Sequence, residues 1–193
     1  VHTVPSRRRN DAPALSSLKE LPRGAKVRSL AYVLLEEGES LELLLWRLFR
    51  EQPQAFTALN AALAEDGAFV RIPANTTIKE PIHLVFVSDT GARPLVSHPR
   101  SVVLAGAGSR ATIVETHVGI PGGVYFTNAV TEVVLEEGAA VEHYKVQNEA
   151  ETAFHVAFLG VQQGRASRFS AHSVEAATAL LDGYAFDTIL FPV

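Results

Sequence analysis

From Ala68 onward the chain runs in short stretches of alternating apolar and polar residues rich in Val, Ile, Thr, Phe and Tyr. Gly, Pro and Asn punctuate them, which is the signature of strands joined by turns. The clearest of these stretches repeat. SVVLAGAGSRATIVETHVG (101–119) is followed thirty residues later by TEVVLEEGAAVEHYKVQNE (131–149), with the same apolar run, glycine turn and alternating strand. Setting Gly108, Gly138 and Gly164 in one column gives spacings of 30 and 26 residues, the period of a repeated supersecondary unit. If each unit is one coil of a parallel β-helix, equivalent residues stack one strand spacing apart. Glu115 then lies over Lys145 and His117 over Gln147 on one face, with Val114 and Tyr144, then Thr116 and Val146, on the other. An acid over a base suits such a ladder, since like charges directly opposite are destabilising. An antiparallel β-sandwich or jelly roll is the alternative, because short strands at this spacing suit those folds as well.

The first 67 residues have a different texture. Residues 1–30 carry Pro5, Pro13, Pro22 and Gly24 with little periodicity and read as an irregular lead-in. Ser40 caps a stretch of good helix formers that predicts a short helix to Arg50. A second helix is predicted after Pro53, with Phe56, Leu59, Ala62 and Leu63 on one face and a stop at Asp66-Gly67. The division is therefore 1–67, lead-in and short helices, and 68–193, β-helix core. After Ser173 the pattern breaks, as if truncated or divergent: Val174 to Leu181 reads as helical, Asp182-Gly183 as a stop, and a short apolar strand follows.

Composition narrows the chemistry. A net charge of −4 with one basic run, Arg7-Arg8-Arg9, offers no stripe for nucleic acid. No apolar run approaches a membrane span and no signal peptide opens the chain, so a cytoplasmic location away from membranes is expected. Ala105-Gly-Ala-Gly-Ser-Arg110 lacks the lysine and spacing of a phosphate loop. A carbohydrate-active β-helix enzyme would need clustered carboxylates, yet the aspartates stand at 11, 66, 89, 182 and 187, outside the repeats. The seven histidines show no His-x-His or His-x-x-x-His spacing, which weakens a cupin-like metal or ligand module. The simpler reading makes them strand residues satisfied by their neighbours, with no metal site. Asn128 reads as a turn residue satisfying backbone between coils, and Tyr144 as core between Val114 and Ser170. The chain holds no cysteine, so disulfides and thiolate ligation are excluded.

Four ordered segments resemble the SufB and SufD family of iron-sulfur cluster assembly proteins: DGAFVRIPANTTIKEPIHLVF (66–86), IVETHVG (113–119), TNAVTEVVLEEGAAVEHYKVQNE (127–149) and FHVAFLGVQQGRASRFSAHS (154–173). Glu115, His117, Asn128, Lys145, Gln147 and His155 fall at family-matched polar positions and are the candidate site residues. The resemblance implies a right-handed β-helix acting as a scaffold rather than an enzyme, joined to a SufB-like subunit and the ATPase SufC, with a homodimer left open. Lacking cysteine, the chain looks like the SufD branch. It is expected to bind no cluster or other cofactor by itself, the iron-sulfur cluster being assembled on a partner. Because the family's partner-binding end lies past the matched segments, this form is expected to hold its partners weakly or not at all.

Overall fold

The computed structural model describes residues 21–38, 54–90, 93–120, 122–175 and 187–192. The helix predicted at 40–50 and most of the one predicted from Val174 lie outside these residues; Val174 and Glu175 themselves end a strand. Eleven strands and two helices are described. In order they are β1 (Lys26–Ser29), α1 (Leu30–Glu37), α2 (Ala55–Leu63), β2 (Ala68–Ile72), β3 (Ile82–Ser88), β4 (Leu95–Ser97), β5 (Arg100–Ala105) and β6 (Arg110–Gly119). They continue as β7 (Tyr125–Leu135), β8 (Ala140–Asn148), β9 (Ala153–Gln163), β10 (Arg168–Glu175) and β11 (Asp187–Pro192).

The strands stack as parallel coils of a β-solenoid. One sheet runs β1-β2-β5-β7 with β4 and β9 also on β7, the other β10-β8-β6-β3-β11. Every pairing is parallel except β1 with β2. The antiparallel sandwich is thereby excluded, since β6 and β8 are parallel neighbours in the anticipated register, Glu115 beside Lys145 and His117 beside Gln147.

Each coil crosses from one sheet to the other at the same kind of turn. The amides of Gly106, Glu136 and Gly164 donate to the carbonyls of Ile72, Ala105 and Leu135. Two residues later the backbone enters the left-handed region at Gly108 (φ 65°) and Gly138 (φ 70°), but also at Asn75 and Ala166 (both φ 56°). The column is therefore Asn75, Gly108, Gly138 and Ala166. Gly164 stands two places early, beside Glu136. An alanine with positive φ costs of order 1 kcal/mol against glycine, which is why a search for glycines misses it. The slip keeps side chains on the correct face but shifts partners, so Tyr144 sits beside His172 rather than Ser170. Their rings stack at 4.9 Å and Tyr144 is only half-buried.

The interior between the sheets is filled by Ile72, Leu84, Phe86, Val103, Ile113, Val133, Leu135 and Val141 with their neighbours. Helix α1 covers the outer face of the first sheet, packing Leu30 and Val33 on Phe69 and Val102. Strand β1 and α1 occupy a stretch without periodicity, and a cap explains them. Ser29 Oγ accepts from the Tyr32 amide and donates to Asp66, whose carboxylate also accepts from the Ala31 amide. Asp66 thus braces α1; it does not stop α2, which ends at Leu63 with Ala64 as its C-cap. The burial of α2 also reverses expectation. Phe56, Leu59 and Leu63 are exposed, while Thr57 and Asn60 are buried. Asn60 Nδ2 donates to the Pro99 and Asn128 carbonyls and its Oδ1 accepts from Arg100. Polar satisfaction at the bend between β4 and β5 dictates the inward face here, because unpaired buried carbonyls are costly.

Candidate functional site

On β6 the side chain of Ile113 joins the apolar interior, and strand alternation carries Glu115 and His117 in after it. Val114 and Val146 form a separate cluster with Tyr144 and Val174 on the opposite face. One end of the solenoid interior is therefore polar. Glu115 is 2 % exposed. His117 Nε2 donates to its Oε1 at 2.8 Å, while Thr131 Oγ1 at 2.8 Å and His143 Nε2 at 3.2 Å donate to its Oε2. Burial alone would raise this carboxyl; the hydrogen bonds and positive charge of His117 and His143 outweigh it and hold the group well below the carboxylate range.

A second group closes into a ring. Lys145 Nζ donates to Gln147 Oε1 at 3.2 Å and contacts His155 Nε2 at 2.8 Å. Gln147 Nε2 donates to Glu149 Oε2 at 3.4 Å. That oxygen lies 2.9 Å from His155 Nδ1, near enough for an ion pair although the alignment leaves Nδ1 without a well-formed hydrogen bond. An ammonium only donates, so His155 Nε2 accepts and the ring proton resides on Nδ1, facing Glu149. Burial, the largest effect, lowers the His155 pKa; Glu149 pulls the other way. Burial pushes the Glu149 carboxyl up, and His155, His117 and Gln147 together bring it below its ordinary value. The two groups meet where the rings of His117 and His155 pack edge to face at 4.7 Å, with Phe86 stacked on His117 at 4.9 Å.

Five of the six candidate residues, Glu115, His117, Lys145, Gln147 and His155, thus converge. Glu115 bonds His117 along β6, His143 diagonally on the neighbouring β8 and Thr131 across the interior, because inward side chains of the two sheets face one another. Asn128 is elsewhere. It lies within β7, not in a turn, and its Nδ2 donates to the Phe56 carbonyl and lies 3.2 Å from His98 Nδ1. It holds α2 to the sheet. Thr131, His143 and Glu149 are site residues that the repeat did not single out. Thr131 was within reach by alternation, two residues before the inward Val133. A pocket of about 300 Å³ opens beside the cluster, bordered by Glu115, Thr131, His143, Lys145, His172 and Ser173. Among the described residues no three His, Asp or Glu side chains are grouped to hold a metal ion.

These buried groups make stability depend on pH. Burial brings the His83 pKa from 6.5 down to about 4 while Thr116 Oγ1 lies 2.8 Å from its Nε2. The unfolded chain takes up protons on His83 and His155 as pH falls through 6.5, and the folded chain resists, so stability rises with pH across this window. Glu115 and Glu149, depressed in the fold, add a further loss below 4.5. The urea midpoint is expected to fall between pH 7.5 and pH 5 by the equivalent of about 1–2 kcal/mol, after allowance for solvent screening. A flat midpoint over that range contradicts the assignment.

Parallel coils of this register, with an ionisable interior and no cysteine, can be set beside known proteins. Residues 86–185 match the family described as SUF system FeS cluster assembly, SufBD core domain, and residues 10–84 match the SufBD protein N-terminal region. The chain belongs to the SufBD family. The core match runs past Ser173, and the N-terminal match covers much of the lead-in, so family likeness extends further at both ends than the four quoted segments. An iron-sulfur cluster assembly SufBD family protein of Synechocystis is 32% identical over 165 residues, 81% of this chain and 36% of that one. The chloroplastic protein ABCI7 of Arabidopsis thaliana is 33% identical over 120 residues, 59% of this chain and 25% of that one. SufD of Bacillus subtilis is 30% identical over 115 residues, 58% of this chain and 26% of that one. The chain thus spans about a third or a quarter of the length of these relatives.

Proposed function

We propose that this SufBD chain is a non-catalytic scaffold of the SufD kind. In this reading it works beside a cysteine-bearing SufB-like subunit and a SufC-like ATPase, in the cytoplasm, and the cluster forms on the partner. The observation that carries the reading is a family-matched β-solenoid in a sequence without cysteine, since iron-sulfur clusters are held chiefly by thiolates. The polar interior supports it: the imidazole and carboxylate groups there bond one another, as in a network that shapes a core. No helix among the described residues is long and apolar enough to cross a membrane.

Anaerobic reconstitution of the chain with iron and sulfide tests the reading, together with affinity capture by SufB-like and SufC-like subunits. The chain alone is expected to take up no stable cluster, and a form extended by further coils is expected to retain both subunits more firmly. Visible absorption of a stably bound cluster on the chain alone overturns the proposal and makes the histidines its ligands. So does failure of the extended form to retain either subunit.

A further inference from the structure

Four buried polar atoms around His155 have no protein partner: Ser97 Oγ, Thr127 Oγ1, His117 Nδ1 and Glu149 Oε1. The topology gathers them. Ser97 on β4, Thr127 on β7 and His155 on β9 are successive parallel partners, so their side chains line one interior face. The His117 ring meets His155 from the facing sheet, and Glu149 reaches His155 from the loop after β8. Ser97 is 9 %, Thr127 0 % and His117 2 % exposed. Native proteins seldom leave buried polar atoms unsatisfied, and four at one place describe a lined chamber.

The chemistry of the lining selects the occupant. Glu149 Oε1 is a carboxylate acceptor, and His117 Nδ1, with Nε2–H given to Glu115, accepts when the ring is neutral and donates when it carries a second proton. Whatever lies between them must donate to the carboxylate and meet the imidazole nitrogen in either role. An anion is excluded by the carboxylate, and the hydroxyls of Ser97 and Thr127 can either give or receive. Water meets all four demands, and internal waters with two to four polar partners are ordinary in proteins. We propose that this chamber between β4, β7, β9 and β6 is an internal water site, and that its water joins the Glu115 group to the Lys145–His155–Glu149 ring. The junction makes one proton-exchanging path, running from the pocket beside Glu115 through His117, the water and Glu149 to the β8–β9 loop.

A crystal structure of the chain is expected to show density for at least one water within hydrogen-bond distance of both Thr127 Oγ1 and His117 Nδ1. Thr127→Val supplies an independent sign. Removing a hydroxyl that truly lacks a partner raises stability, whereas removing one that bonds a water lowers it. We expect Tm to fall by about 2–4 °C in Thr127→Val, with a parallel fall in the long-lived internal water counted by oxygen-17 relaxation dispersion. Should Thr127→Val not fold, Ser97→Ala gives the same reading. A dry chamber in the density, or an unchanged or raised Tm in the variant that folds, overturns the proposal. Density that proves to be ammonium, by its dependence on ammonium concentration, overturns the assignment to water as well.

Discussion

Replacing Arg100 with leucine is expected to lower stability by about 3–5 kcal/mol, roughly a third of what holds a domain of this size together. Arg100 Nη2 lies 2.9 Å from Glu132 Oε2, with side chains only 6% and 7% exposed, and its Nε donates to the same oxygen at 3.2 Å. Its Nη1 donates to Asn60 Oδ1. Leucine leaves Glu132 buried without its cation and frees the amide that fastens α2 to the bend between β4 and β5. Burial already raises the Glu132 pKa against the pull of Arg100. Without that pull it rises further and the folded state gains affinity for a proton, so the loss is smaller at pH 5.5 than at pH 8. Arg100→Leu combined with Glu132→Leu should recover most of the stability, as buried pairs replaced by apolar residues often do. Urea unfolding followed by circular dichroism reads all three. A single variant costing under about 1 kcal/mol shows that the pair holds nothing.

The other large effect is expected from Glu115→Gln, at about 2–4 kcal/mol. Glutamine keeps the shape but loses the charge, and its amide can accept at only one atom where the carboxylate accepted three bonds. Thr131, His117 and His143 then compete for a single oxygen. Glu142→Gln, on the same strand as His143 but exposed, is the control and should change stability by no more than about 0.5 kcal/mol. Equal effects from the two substitutions contradict the buried-cluster assignment.

The register of β6 on β8 was legible because both turns use glycine at the same place and each strand begins two residues after it. Once Gly108 and Gly138 are superposed, Glu115 must fall beside Lys145 and His117 beside Gln147. The third turn was misplaced because Ala166 takes the left-handed conformation that glycine advertises, and Gly164 nearby offered a decoy. Strand β1 and α1 were hidden because their order derives from Ser29, Asp66 and packing on Phe69, all interactions with distant sequence. The outward apolar stripe of α2 defeated the rule that a helix buries its hydrophobic face, since Asn60 had carbonyls to satisfy. In the site, contacts along a strand follow from alternation. Those across the interior, such as Thr131 with Glu115 or His155 with Lys145, depend on how many residues each coil uses to come round, and no local pattern encodes that length.

The stacked turns also bear on how such a chain can change by inheritance. Each coil closes on its neighbour through the same backbone bonds, at Gly106, Glu136 and Gly164, so a whole coil can in principle be duplicated or lost with its partners still matched. Insertions in loops between strands that carry no site residue are absorbed outside the ladder. A single added residue inside β6 is another matter. It reverses every side chain beyond it, turning Glu115 and His117 to the outside and Val114 and Thr116 to the interior. Lineages should therefore vary this protein by loops and by complete turns of the solenoid, and keep the length of β6 and β8 fixed.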